Sequence, residues 1–388
     1  MTSAPLFTPR FFLMCGFTFT VFLSAFQLLP TAPFRILALG GTAATAGLFL
    51  GFLTYASALT APITGTLADR LGKRRILIVS SSVIAAISVV YAVLEDYRLM
   101  LALVVLHGVF WSGLLSASAA YITDIVPAER RAEGLSWWGL STVVAVAVAP
   151  TIGLWIYGSG GWLVMCLVAA GLNVAMGVMA WSLPPEPQRP PGAMRTALAG
   201  RLVDWRVLAL SGTLFLYSFG YGSITSFVAL YADANGVTPR ALYFAVFSVA
   251  ILFTRPFAAR LGDRFGYRKI LLPCLVLIAA GFGLLALGGG RSTFVASALV
   301  FGTGFGSAYP LFAAYVMRRV DDGRRGAAFG SILAAFDTGI GTGSIGVGWI
   351  VEHYGFQAGY GVATALAVCA IPYFLLMDRW QKRVLSDQ

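Results

Sequence analysis

Two histidines, four cysteines, three lysines and 16 acidic residues are all that this chain of 388 residues carries of those types. Each scarcity excludes something. A metal centre or a histidine-based catalytic group needs clustered partners, and His107 and His353 stand far apart with no ligand cluster around either. Cys15, Cys166, Cys274 and Cys369 all fall within apolar runs, where a thiol behaves as a small hydrophobe rather than as part of a disulfide or metal framework. The run "GKRR" at 72–75 lacks both the hydroxyl and the upstream glycine of an ATP-binding loop. The expectation is a chain that is not an enzyme and needs no cofactor. Charge is scarce too: 11% of residues are charged against 58% hydrophobic, with a mean hydropathy of +0.82, too apolar for a water-soluble globule of this length.

What fills the chain is apolar runs. Twelve occur, at about 10–33, 43–67, 76–94, 99–123, 135–157, 161–183, 205–231, 240–261, 270–289, 292–317, 327–352 and 356–377, each long enough to cross a hydrocarbon core of roughly 30 Å as a helix. The first follows Arg10 but is long and lacks a small-residue cleavage site followed by polar sequence, so it reads as a spanning helix rather than a leader. The expected fold class is an all-α membrane protein with 12 transmembrane helices, its main partner the lipid bilayer.

The formal charge of +11 raises the question of nucleic acid, and the placement of the charges answers it. With both termini on one side, 22 of the 27 basic residues fall on that side; Arg35, Arg98, Arg240 and Arg291 lie opposite, and Arg255 sits within a span. The positive-inside rule puts both termini in the cytoplasm of a multi-pass cell-membrane protein, and no nucleic-acid partner is expected.

A shift of 194 residues, half the chain, lays "GTLADRLGKRR" at 65–75 over "ARLGDRFGYRK" at 259–269. Leu67, Asp69, Arg70, Gly72 and Arg74 meet Leu261, Asp263, Arg264, Gly266 and Arg268. The same register, without gaps, pairs "AAY" at 119–121 with 313–315, Gly108 with Gly302 and Trp155 with Trp349. Two pseudo-symmetric six-helix bundles follow: 1–183 and 205–388, joined by a proline-rich cytoplasmic linker at 184–204. Two such bundles rocking against one another suit alternating access to a site between them.

The doubled "GTLADRLGKRR" resembles the loop signature of the major facilitator superfamily, a Gly-x-Leu-x-Asp-Arg-x-Gly-Arg-Arg pattern between the second and third helices of each half. The resemblance covers essentially the whole chain. It implies a secondary transporter with helices 1, 4, 7 and 10 around a central cavity, and helices 2 with 11 and 5 with 8 at the flanking interfaces. It also implies that Asp69 meets the N-terminal end of helix 11, where negative charge is favourable. Departures exist: Val104 stands where many proton antiporters of the family carry an arginine four residues before Gly108, and their helix 5 signature is reduced to "APTIGL" at 149–154.

Gly65, Asp69, Arg70, Gly72, Lys73 and Arg74, with Asp263, Arg264, Gly266 and Arg268 in the second copy, read as a cytoplasmic latch. The glycines allow a tight turn, and the acids, taken to follow a helix end, can accept backbone N–H groups or pair with arginine. Asp124 is a partner for Lys73 in the first half, whereas Arg318 occupies the matching place in the second. Topology alone requires no acids.

Thr20, Ser24, Gln27 and Thr31 recur at i, i+4, i+7 and i+11 and draw a polar stripe on the first span. The repeat offset supplies Ser218, Tyr221 and Thr225, with Tyr217 beside them, on the seventh. His107, Trp111 and Ser118 on the fourth span, and Phe305 and Tyr309 before Pro310 on the tenth, complete an aromatic, weakly polar cavity for a neutral or amphipathic small molecule. Any one hydroxyl can instead serve as interhelical glue, and His107 as a packing residue.

Asp337, in "AAFDTGIGTGSIGVGW", is the only carboxylate deep within a span, about 10 residues and so roughly 15 Å from the start of its helix. A charge there is costly, so reversible protonation linked to rocking is the expectation, with protons as coupling ion; a fixed polar contact is its rival. Arg255 is placed to snorkel or to pair with an acid. Glycine pairs such as Gly47/Gly51 and Gly302/Gly306 serve packing within a monomer. The leading expectation is proton-coupled efflux of a small organic or amphipathic compound. The alternatives are a proton-coupled uptake symporter for a sugar-like or weak-acid solute and, in another class, a non-transporting receptor or scaffold.

Overall fold

The computed structural model describes residues 5–184, 205–320 and 325–386, and these form helices joined by short connections, with no strand among them. In lipid every backbone N–H and C=O must be satisfied within the protein, and helices do so locally. α1 runs Pro9–Leu28 and resumes, after a turn at 29–31, as Ala32–Ala38. Then come α2 (Ala43–Leu71), α3 (Lys73–Val93), α4 (Tyr97–Ile125), α5 (131–160), α6 (162–182), α7 (Trp205–Ala234) and α8 (Leu242–Phe265). α9 (Tyr267–Leu287), α10 (Arg291–Met317), α11 (325–354) and α12 (356–386) complete the series. α5 and α6 form one run broken at Gly161, and α11 and α12 one run broken at Gly355. By length and composition, the described helices are those of a multi-pass membrane protein.

Two compact units emerge: Met1–Gly41 with Phe52–Gln188, and Thr42–Gly51 with Arg189–Gln388, so that α2 contributes to both. All but the first residue of the stretch expected as a linker, 184–204, lies outside the described residues. In the first unit α1 packs on the α5–α6 run, and α3 packs on that run and on α4. The second unit repeats this scheme, α7 lying on the α11–α12 run and α9 on that run and on α10.

The 194-residue offset reappears in backbone and packing. Gly72 (φ +94°) and Gly266 (φ +91°) make the same turn, and Gly161 (φ +73°) and Gly355 (φ +83°) break the same helix pair. A Cβ added to Gly108 would lie 2.5 Å from the carbonyl oxygen of Leu53 and 2.8 Å from Ala56 Cβ; one added to Gly302 would lie 3.0 Å from Phe247 O and 2.7 Å from Ala250 Cβ. Leu53 and Phe247, like Ala56 and Ala250, occupy equivalent positions. One close helix approach is thus built twice, without interchangeable side chains.

Two sequence expectations need correction. The first span is not continuous: Pro30 has no N–H to continue the ladder, so the helix stops at Leu28 and Thr31 stands in the turn rather than on the stripe. Thr31 Oγ1 donates to Gln27 O (3.1 Å) and Leu28 O (2.9 Å), satisfying carbonyls at the break. Asp69 and Asp263 do not follow helix ends but lie in the last turns of α2 and α8, because only at Gly72 and Gly266 does the backbone leave the helical region.

Nothing lies within 4 Å of a Cβ added at Gly72 or Gly266, so the cost of a side chain there is backbone strain alone. Gly72→Ala or Gly266→Ala is expected to lower stability by about 1–3 kcal/mol, read as a lower midpoint of thermal unfolding in detergent. Gly65, helical and equally unobstructed, is the control: Gly65→Ala should leave that midpoint unchanged or slightly raised.

Candidate functional site

The charged turns conflict with their local electrostatics. Asp69 and Asp263 occupy helix C-termini and Lys73 and Arg74 open α3, each the unfavourable end of a helix dipole for its sign. Tertiary partners offset this in the first unit. Lys73, whose side chain is 4% exposed, pairs with Asp124 of α4, which is 39% exposed. Arg74 donates to the carbonyl oxygens of Ala180 and Trp181, where a cation caps the C-terminal end of α6. Asp69 and Arg70 are exposed. Residues 321–324, just before α11, to whose N-terminal end Asp69 is related by resemblance, lie outside the described residues.

The second unit uses the same positions with different chemistry. Tyr267 and Arg318, equivalent to Lys73 and Asp124, meet as a cation–π pair, the guanidinium carbon 5.1 Å from the ring centroid. Tyr267 also donates to Asp263 Oδ1 (2.5 Å), and Arg264 lies 5.2 Å from the Phe265 ring centroid. Arg268, equivalent to Arg74, reaches a carboxylate instead of carbonyls: Asp378 of α12, wholly buried, is met by Arg268 Nη1 at 3.4 Å and Arg319 Nη1 at 2.9 Å, and by the hydroxyl of Tyr315.

On α1, Thr20, Ser24 and Gln27 are all buried, but their polar groups are engaged differently. Thr20 Oγ1 donates to Gly16 O (2.9 Å) within its own helix. Ser24 Oγ accepts from Asn173 Nδ2 of α6 (2.7 Å). Gln27, 0% exposed, has no hydrogen-bond partner for either amide atom among the described residues. Its backbone is the seat of Gly153 of α5, where a Cβ would lie 2.6 Å from Gln27 Cα. Trp111 of α4 lies edge-on to Phe22 of α1, centroids 5.4 Å apart. His107 turns to Tyr91 of α3 at 6.1 Å, and neither its Nδ1 nor Ser118 Oγ, both buried, has a hydrogen-bond partner among the described residues.

In the second unit Ser218 Oγ donates to Phe336 O of α11 (2.9 Å) and Thr225 Oγ1 to Tyr221 O (2.9 Å), so both hydroxyls serve helix packing or their own helix. The aromatic members come together. Tyr221 stacks on Phe305 at 4.2 Å, Tyr217 stands edge-on to Phe305 (6.1 Å) and to Phe336 (6.3 Å), and Tyr309 lies against Phe336 at 5.0 Å.

Asp337 of α11 and Arg255 of α8 are half-buried and do not pair with each other; among the described residues neither has a hydrogen-bond or ion-pair partner. Tyr309 of α10 interacts electrostatically with both.

Sequence reasoning passed over Asn173 and the set of Asp378, Arg319 and Tyr315. An amide in the middle of the sixth apolar run was a signal for the first. A lone acid closing the twelfth apolar run was a signal for the second.

A family model described as Major Facilitator Superfamily matches residues 13–239 and 210–386. The chain is 26% identical over 356 residues to an uncharacterized MFS-type transporter, YhhS, of Escherichia coli strain K12, covering 89% of this chain and 85% of that protein. In fold it is similar to a bacterial homologue of the human lysosomal transporter Spinster, crystallised in an inward-facing and occupied conformation (TM-score 0.77, 16% identity, 95% and 96% of the two chains). It is also similar to the nucleoside transporter NupG (TM-score 0.72, 16% identity, 96% and 99%).

Proposed function

This chain belongs to the Major Facilitator Superfamily, and on that premise we propose that it exports a small organic or amphipathic compound in exchange for protons, by alternating access of its two units. That it is a membrane transporter follows from the family; substrate, coupling ion and direction are the proposal. The observation that carries it is Asp337, an acid within α11 with no counter-ion among the described residues. A carboxylate so placed is costly when ionised and gains little from its surroundings, so proton uptake and release there is coupled to how water reaches it. The aromatic group of Tyr217, Tyr221, Phe305, Tyr309 and Phe336 supports an amphipathic substrate, since stacked rings offer large apolar faces with a few hydroxyls at their edges. Gln27, with two unanswered polar atoms, is proposed to bond the substrate's polar group.

The two charged turns are proposed to act as a latch on the cytoplasmic side. Each is tied into its own unit, by Lys73–Asp124 and by Arg268–Asp378, and so moves with it as a rigid handle. The protein is proposed to lie in the cell membrane with both termini cytoplasmic, a reading the distribution of arginines supports, and to act as a monomer.

Asp337→Asn tests the coupling. In proteoliposomes under an imposed pH gradient, flux of a fluorescent amphipathic dye transported by the wild type is expected to fall at least about tenfold, while gradient-free exchange of the same dye persists. Wild-type gradient-driven flux by Asp337→Asn rejects the role. Direction is read in whole cells: a protonophore should raise dye accumulation if the protein exports, and lower it if the protein imports.

A further inference from the structure

Arg255 is the unabsorbed charge of the second unit. It lies within α8, directly before Pro256 and half-buried, yet it makes no hydrogen bond or ion pair among the described residues. A guanidinium at such a depth ordinarily finds a carboxylate or snorkels to water. The packing of α10 directs it elsewhere. A Cβ added at Gly306 would lie 3.1 Å from Ile251 Cα and 3.2 Å from Thr254 Oγ1, so α10 rests directly on α8 one residue before Arg255. Tyr309 is three residues further along α10, on the same side, and its ring meets Phe336, the neighbour of Asp337, at 5.0 Å. Tyr309 thus interacts electrostatically with both the guanidinium and the carboxyl group, and with Tyr217 of α7.

We infer that Arg255 and Tyr309 form an anion subsite, and that the transported compound is an organic monoanion, a carboxylate joined to an apolar or aromatic body. The inference rests on the cavity reading proposed above and names its substrate class. Arginine presents a planar fork that matches a carboxylate with two parallel hydrogen bonds, and a phenol beside it adds a third donor. The ring of the ligand has its counterpart in Phe336 and in the Tyr221–Phe305 stack, one turn of α10 away from Tyr309. With no protein acid paired to Arg255, an incoming carboxylate need not displace a salt bridge, so it gains the full charge-assisted contact. A polyanion would leave charge unanswered there, because Arg255 is the single cation of this subsite and Asp337, which also interacts with Tyr309, is an acid.

Equilibrium binding to the purified full-length protein tests this, using benzoate, benzamide and benzylamine as probes of one shape and three charges. The wild type is expected to bind benzoate about tenfold more tightly than benzamide, and benzylamine more weakly than either. Arg255→Gln should erase the preference while leaving benzamide affinity within about twofold, Arg255→Lys should restore part of it, and Tyr309→Phe should reduce it severalfold. A wild type that binds the three probes alike, or none of them, overturns the subsite, as does an Arg255→Gln protein that still prefers benzoate. Because no gradient is applied, the result does not depend on proton coupling by Asp337, and either idea can fail with the other standing.

Discussion

Asp378→Ala is expected to cost the protein about 3 kcal/mol, read as the largest fall in unfolding midpoint among single changes at the charged turns. The carboxylate is wholly buried and holds three groups at once, Arg268, Arg319 and Tyr315. Removing it strands two guanidinium groups and a phenol at an interface of α9, α10 and α12 shaped around a negative charge. The two arginine side chains are 37% and 33% exposed and regain some hydration, which keeps the cost at the lower end of the range for breaking a buried pair. Asp378→Asn keeps an acceptor for Tyr315 but loses the charge, so its effect should fall between alanine and wild type. Arg268→Ala should cost less than either, since its contact is the longer of the two and Arg319 remains. Equal midpoints for Asp378→Ala and wild type would remove Asp378 from any structural role.

Gly343→Val should be comparably severe, by a mechanism that involves no charge. A Cβ at Gly343 would overlap the backbone carbonyl of Phe219, and one at Gly222 would overlap that of Ile340; at Gly339 the nearest backbone atom is Phe215 O, 2.6 Å away. α7 and α11 therefore touch backbone to backbone along a stripe of glycines, and Ser226 and Ser344 hydroxyls meet at 2.7 Å in the same seam. Side chains can repack around an added methyl group, but backbone cannot yield without parting the helices. The expected loss is about 3 kcal/mol, the upper end for overpacking, measured by unfolding in detergent. Gly361→Ala on α12, where an added Cβ meets nothing within 4 Å, should leave the midpoint near that of the wild type. Because Asp337 sits directly before this stripe, two residues from Gly339, Gly343→Ala should also lower transport even where the protein still folds.

The α7–α11 seam and the Asp378 cluster differ in how far they were visible beforehand. Glycines at 339, 343 and 346 announce a close helix approach in the primary structure, although not which helix approaches. Asp378 announces only itself. Its partners come from helices 59 and more residues away, and nothing periodic links Asp378 to Arg319 or to Arg268. In the first half the matching arginine caps carbonyls instead, so even the repeat misleads there.

Spans, the doubled turn and the repeat belong to the chain read by itself. Lipid imposes a length and a hydropathy on every crossing, and only glycine tolerates the backbone of the turns at Gly72 and Gly266, so these features are written locally, residue by residue. Which side chains meet was decided by tertiary structure alone: Lys73 with Asp124 but Arg318 with Tyr267, Asn173 with Ser24, and Tyr221 with Phe305. Partner choice depends on how each helix is rotated about its own axis and how closely glycines let its neighbours approach. Neither quantity is a property of one segment, because both are set by packing between residues far apart in the chain.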